Sequence, residues 1–277
     1  MHRADIPFAV RLSDQEGWGI PARDFERILR LDPKGSFIAT EGERKVGLTT
    51  TISYGTQIAW IGNVVVAKQH RGKHIGQALV HEAVRYLRMN RIKRIVLYSF
   101  NENVEYYRKL RFMRGPSFVR LRREGKLYRA PVPQLYSDET VPLRSLLSFD
   151  RKAFGADRSR LVKALLHSGS AWYVAYAAGS SRSYLMVKQY EDMHELGPWV
   201  SVGLRRAKLD AMLRTALGKT GDRPIEVSCL SGNRDVMRIL KSHDFRVVNR
   251  GRIMYYQKIS RMGQPRAIAA LGFLDKG

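Results

Sequence analysis

Within the stretch from Val64 to Val80, Arg71, Gly72, Lys73 and Gly76 are spaced as a group that could hold a phosphate. The sequence VVVAKQHRGKHIGQALV passes from a β-branched run, through a basic glycine-containing turn, into apolar residues at helical spacing. A strand that turns directly into a helix leaves backbone N–H groups pointing outward, and the positive end of the helix dipole adds to them. Glycine allows the dihedrals of such a turn and lets an anion approach without a Cβ in its way. Arg71 and Lys73 contribute charge. His74 stands where a third glycine would be expected, and three readings fit it. Histidine tolerates a positive φ better than most residues; a protonated imidazole can touch a phosphate; or the loop has lost its ligand.

The elements that must position this turn follow from periodicity. Phe25, Ile28 and Leu29 share one face of a helix over 24–31, ended by DPKG. SFIAT and KVGLTTTISY flank the turn-like EGER as a β-hairpin, and QIAWIGNVVVA is a further strand. Ile75, Leu79, Ala83 and Leu87 recur every four residues on an amphipathic helix. KRIVLYS, NENVEYYRKL and FVRLRRE then read as strand, short helix and strand. The order predicts an α/β fold (α+β, with a mixed sheet) in a first domain over residues 1–130.

Three prolines in APVPQLYSDETVP mark residues 131–143 as a linker, after which the rhythm restarts over 144–277. Two helices, a hairpin around GSSR, the strand GPWVSVG, the helix RAKLDAMLRTALG, the strand PIEVSCL, the helix NRDVMRILKSH and a closing strand follow. YYRKLRF and ILKSHDF fall at the same place in the two halves, which suggests two copies of one domain.

These motifs resemble the GNAT superfamily of acetyl-CoA-dependent N-acetyltransferases. QHRGKHIGQALV is similar to its motif A, Arg/Gln-x-x-Gly-x-Gly/Ala, with Arg71 at the first position, His74 at the middle glycine and Gly76 at the last. NENVEYYRKLRF is similar to the family's Asn-rich turn, which here carries Asn103, and to its Tyr-x-x-x-Gly-Phe ending. Tyr107 falls on the tyrosine, Phe112 on the phenylalanine and Arg111 on the glycine. The resemblance implies two tandem GNAT-like domains, each a mixed central sheet flanked by helices, the second degenerate. It implies that amides and side chains of Gln69, His70, Arg71, Gly72, Lys73, His74, Ile75 and Gly76 hold the pyrophosphate of acetyl-CoA, with Asn103 nearby. It implies that Val64, Val65 and Val66 run beside the pantetheine arm, and that Tyr107 protonates the departing thiolate. The reaction implied is direct acetyl transfer to a primary amine in a ternary complex, with no metal.

Many members of the family use a glutamate on the central strand as general base, and IAWIGNVVVAK contains none. Glu41, Glu43, His70, Tyr54 and a water stay open for that role. SVGLRRAK in the second half offers one glycine, Gly203, so that copy is expected not to bind coenzyme A.

Composition bounds the alternatives. The 277 residues hold 49 Lys and Arg against 25 Asp and Glu, a formal net charge of +24. Residues 1–130 carry 25 basic and 12 acidic side chains and the remainder 24 and 13, so the charge is not a detachable arm. Such a surface attracts anions, and residues 85–129 interleave basic side chains with aromatic ones. A GNAT-fold protein that binds RNA or a ribosomal particle is therefore the alternative to the enzyme. The lone cysteine, Cys229, excludes a disulfide framework or a cysteine-based zinc site. The amino terminus lacks a secretory apolar stretch and no run is long enough to span a membrane, so the expected address is the cytoplasm. The sequence leaves the oligomeric state unread, with a monomer compatible with two fused copies.

Overall fold

A computed structural model describes residues 1–133, 141–259, 263–272 and 277. Most of the linker expected at 131–143 thus lies outside the described residues. The chain divides into two compact units. Unit 1 comprises Met1–Arg114 with Met254–Ser260 and Leu274–Gly277; unit 2 comprises Gly115–Ile253 with Arg261–Phe273.

Unit 1 begins with helices α1 (Ile6–Asp14) and α2 (Ala22–Leu31), then strands β1 (Ser36–Glu41), β2 (Arg44–Tyr54) and β3 (Ile58–Val66). Helix α3 (Ile75–Met89), strand β4 (Ile95–Phe100), helix α4 (Val104–Lys109) and the start of β5 (Phe112–Arg123) follow. The sheet runs β1-β2-β3-β4 and closes on the end of β10 (Arg246–Tyr256), whose last residues belong to this unit. The first two pairings are antiparallel and β3–β4 is parallel, so the sheet is mixed. Leu79, Val80, Ala83, Val84 and Leu87 turn the buried stripe of α3 onto Ala59, Ile61, Ile95 and Leu97, giving this unit a core of its own.

Unit 2 repeats the same elements in the same order. Helices α5 (Leu143–Phe154) and α6 (Ser159–His167) precede β6 (Ala171–Ala178), β7 (Ser181–Gln189) and β8 (His194–Val202). Then come α7 (Arg206–Leu217), β9 (Ile225–Leu230), α8 (Arg234–Ser242), β10 and a short β11 (Ile268–Ala270). Its strands are ordered β10-β5-β9-β8-β7-β6, with β11 added on β8. Most of β5 therefore lies in unit 2, where Phe118 to Arg123 pair with Leu230 to Ile225. The division into units falls inside β5, and the end of β10 serves unit 1. Two structural features went unread in the sequence, helix α1 and strand β11. Helix α1 buries Ile6, Ala9 and Leu12 at helical spacing behind Pro7 in its first turn.

Candidate active site

Strand β3 positions the site. Its register against β2 slips between Leu48↔Val65 and Thr50↔Gly62, so Asn63 and Val64 together face the single residue Thr49. This is a β-bulge, and Asn63 takes a positive φ of 51° to form it. Two side-chain bonds from β2 hold the bulge: Thr49 Oγ1 donates to the Gly62 carbonyl at 3.1 Å, and Asn63 Nδ2 donates to Thr50 Oγ1 at 2.9 Å. On the other side of β3, pairing with β4 is confined to Ala59↔Ile95 and Trp60↔Val96. Beyond Trp60 the two parallel strands part, and no described strand takes the place of β4 along Val64–Val66. Backbone polar groups on such an edge call for a partner.

The opened edge leads directly into the basic turn. Residues 67–74 connect β3 to α3. Gly72 has φ 80°, and His74 adopts φ 60° and ψ 10° as the residue capping α3. The left-handed backbone is thus present at the position where the family motif has glycine, and histidine adopts it. No side chain caps α3, whose first intrahelical bond runs from Ala78 N to the His74 carbonyl. The N–H groups of its first turn therefore remain available to an anion. The Arg111 position behaves alike: in place of the motif glycine, arginine takes φ 67° in the turn after α4.

The polar side chains of the loop are tied to carboxylates. Glu41, in the β1–β2 hairpin, accepts from Lys73 Nζ at 2.9 Å and from His70 Nδ1 at 2.8 Å. Lys73 and His70 together hold the Glu41 carboxyl below its ordinary range, with the Lys73 hydrogen bond the largest cause. Arg71 donates from Nε to the Val66 carbonyl at 3.0 Å and pairs with Glu16. Gln69, Arg71, Gly72, Lys73 and His74 are exposed, Ile75 and Gly76 half-buried. His70 is buried, and its Nε2 has no hydrogen-bond partner. Glu41, exposed like Glu43, thus clasps the loop from the hairpin.

The two tyrosines of α4 part company. Tyr107 packs onto the core beside Phe112, ring centroids 5.9 Å apart, and burial pushes its phenol well above the ordinary range. Tyr106 is 38% exposed and reaches toward α3. A Cβ built on Gly76 would lie 2.8 Å from the Tyr106 hydroxyl and 3.7 Å from Val66 Cγ2. Gly76, Val66 and Tyr106 thus converge at the start of α3, and Tyr106 went unnoticed in the sequence because the motif draws attention to its neighbour. Asn103 is exposed at the start of α4. On the opposite face of β3, Trp60 is buried between Tyr54 and Tyr98, with Gly277 over its indole. Of the aromatic residues interleaved with the basic run, Phe112 and Phe118 are core residues.

Known proteins show the same pattern. Residues 8–112 match the model of the Acetyltransferase (GNAT) family, and residues 146–266 that of an Acetyltransferase (GNAT) domain. The chain belongs to the GNAT superfamily. It is a tandem member of this superfamily of acyl-CoA-dependent acyltransferases. It is 24% identical over 208 residues to the holothin acyltransferase of Pseudoalteromonas sp. (strain SANK 73390), covering 74% of this chain and 68% of that one. A candidate acetyltransferase of Pyrococcus horikoshii superposes with a TM-score of 0.80 at 20% identity, over 100% of this chain and 94% of its own. A tandem GNAT protein from the clavulanic acid biosynthesis pathway gives 0.62 at 14% identity, over 94% and 96%. Both structural likenesses speak for the fold. Among the described residues no helix is long and apolar enough to cross a membrane, and no cluster of His, Cys, Asp or Glu could hold a metal.

Proposed function

We propose that unit 1 of this GNAT protein binds acetyl-CoA and transfers its acetyl group to a primary amine by direct transfer in a ternary complex. The observation that carries this reading is the parting of β3 from β4 beyond Trp60, at the Asn63 bulge, immediately before the glycine-containing turn. The residues present fit the cosubstrate. Gly72 and His74 give the turn its left-handed backbone, and the first turn of α3 is uncapped. The Gly76 Cα lies bare beside Val66. In this reading the backbone from Gln69 to Gly76, with His70, Arg71 and Lys73, holds the pyrophosphate, and Asn103 lies on the neighbouring helix. The edge Val64, Val65, Val66 takes the pantetheine arm.

Acetyl-CoA supplies an electrophilic thioester. N–H groups on the side of β3 that β4 has left are suited to stabilise charge that develops on the thioester oxygen. Tyr107 is the proton donor to the leaving thiolate, and its raised phenol keeps the proton through and above neutral pH. Glu41 is committed to Lys73 and His70, which argues against its acting on the amine.

Gly76→Trp tests the assignment. The new side chain would enter the space next to Tyr106 and Val66, and acetyl-CoA binding measured by equilibrium dialysis is expected to fall by at least roughly 100-fold, about 2.7 kcal/mol. Wild-type affinity in a folded Gly76→Trp protein would sink the loop assignment. Acetyl-CoA consumption against a panel of primary amines reads the second half of the proposal; no acceptance of any amine would sink it.

A further inference from the structure

In unit 2 the same parting of strands occurs, and a strand of the chain itself lies in it. The β7–β8 register slips between Leu185↔Trp199 and Val187↔Leu196, so Gly197 and Pro198 form the counterpart of the Asn63–Val64 bulge. Pairing of β8 with β9 ends at Leu196↔Val227, just as β3 leaves β4. Strand β11 enters there. Ile268 and Ala270 pair antiparallel with Val200 and Trp199, the counterparts of Val66 and Val65. Because β7 holds the other side of Tyr184↔Val200 and Leu185↔Trp199, β11 occupies the side that β9 has left.

The fit is specific to an extended backbone with small side chains at 269 and 270. Leu271 N donates to the Ser228 carbonyl of β9 at 2.7 Å, so the segment bridges both parted strands. Lys188 Nζ, itself 2% exposed, donates to the Gly272 carbonyl at 2.7 Å while also pairing with Glu195. Asn233 Nδ2, at the start of α8, reaches the Ile268 carbonyl at 3.4 Å. A Cβ on Gly197 would run into the Leu271 carbonyl oxygen. Ala269 and Ala270 are 2% and 0% exposed, leaving no room for larger side chains.

We propose that the cleft of unit 2 is a peptide-binding groove that takes an extended strand with small residues at its centre, filled in cis by residues 268–272. Main-chain pairing supplies the affinity and the tight Ala269 and Ala270 positions supply the selectivity, as in other cases of strand addition. The occupant lies along the edge of β8 equivalent to the β3 edge at Val65 and Val66, so an acyl-CoA has no route into the filled groove. This inference rests on unit 2 alone and stands whether or not unit 1 proves to be the enzyme.

The test uses the full chain with a specific protease site replacing residues 260–262. After cutting, the segment is held by non-covalent contacts alone, and a fluorescent peptide spanning Gly263 to Gly272 is added in excess. Exchange of one labelled peptide per chain is expected. Unlabelled peptide should compete, acetyl-CoA should not, and a peptide carrying Ala270→Trp should compete at least roughly 100-fold less well. Competition by acetyl-CoA, equal competition by the Ala270→Trp peptide, or absence of saturable exchange in cut protein that keeps its native circular dichroism would overturn the proposal. Should the cut chain unfold, the intact chain still decides. Slow hydrogen exchange at the Leu271 amide is expected, and exchange at the rate of an unstructured peptide would overturn the groove.

Discussion

Two clefts on one scaffold make the informative comparison. Each lies where a bulged strand parts from its parallel neighbour: β3 from β4 at Asn63 in unit 1, β8 from β9 at Gly197 in unit 2. The connections from these strands to the next helix differ. Unit 1 places residues 67–74 before α3, with a left-handed backbone at Gly72 and His74; unit 2 has only residues 203–205 before α7, too few for a phosphate cradle of that kind. Along the parted edge, no described strand pairs with Val64 to Val66 on the β4 side, whereas unit 2 pairs Trp199 and Val200 with β11. The bulge and the parted strands are thus properties of the repeat, and the loop and the occupant decide what each copy does with them.

Both units bury charge, and unit 1 pairs Arg27 with Asp24 on α2. Unit 2 buries Asp150 and Arg158 as a bidentate pair, both 2% exposed, with the Arg158 guanidinium 4.1 Å from the centre of the Phe154 ring and Tyr184 donating to Asp150 at 2.5 Å. In unit 1, Asp32 instead accepts from the hydroxyls of Thr51, Ser53 and Tyr86, at 3.2, 3.2 and 2.6 Å. The largest expected effect therefore falls in unit 2. Arg158→Ala leaves the Asp150 carboxylate uncompensated and is expected to cost about 3–5 kcal/mol of stability in denaturant unfolding. Tyr86→Phe in unit 1 removes one of the hydroxyls on Asp32 and is expected to cost about 1–3 kcal/mol. Equal costs would erase the distinction drawn between the units.

Next in size are the effects within unit 1. Tyr107→Phe is expected to lower kcat roughly 100-fold, at the modest end for loss of a general acid, while Tyr106→Phe shifts KM for acetyl-CoA more than kcat. The sign of the pH dependence comes from burial: a phenol raised above its ordinary value of 10.0 stays protonated throughout the neutral and mildly alkaline range. Tyr107 therefore imposes no loss of kcat below pH 10, and a limb in that range that disappears in Tyr107→Phe would contradict the raised phenol.

The smallest effect concerns the clasp. Glu41→Gln removes the charge that holds Lys73 and His70, and a change of a few-fold in KM is expected, as for an exposed ion pair. Since its partners depress the Glu41 carboxyl, the clasp is intact above the ordinary carboxylate range and is lost as pH falls through the depressed value. Acetyl-CoA affinity that tracks this acid limb in the wild type and not in Glu41→Gln would sharpen the picture; an unchanged limb would break it.

Much of this architecture is legible in the sequence. The repeat is visible because every strand and helix of unit 1 has a counterpart in unit 2 with its own local periodicity, as Leu79, Ala83 and Leu87 on α3 illustrate. The turn at 67–74 is legible because glycine and arginine mark it. The bulge is not, since nothing in GNVVV announces that Asn63 turns to positive φ; the slip is a property of how β3 pairs with β2 around Thr49. Strand β11 escaped for a related reason. A three-residue apolar run has no period, and only the vacancy left by β9 makes it a strand. The membership of β5 and β10 likewise depends on pairing with residues more than a hundred positions away. Glu41 is a further case, because a hairpin carboxylate reads as solvated until the fold brings His70 and Lys73 to it.

The contrast between an open and a filled cleft is tested most directly by titration calorimetry of the intact chain with acetyl-CoA. One site per chain is predicted, lost in Gly76→Trp and retained in Ala207→Trp, the exposed counterpart of Gly76 on α7. Two sites per chain, or a single site lost in Ala207→Trp and kept in Gly76→Trp, would contradict the account.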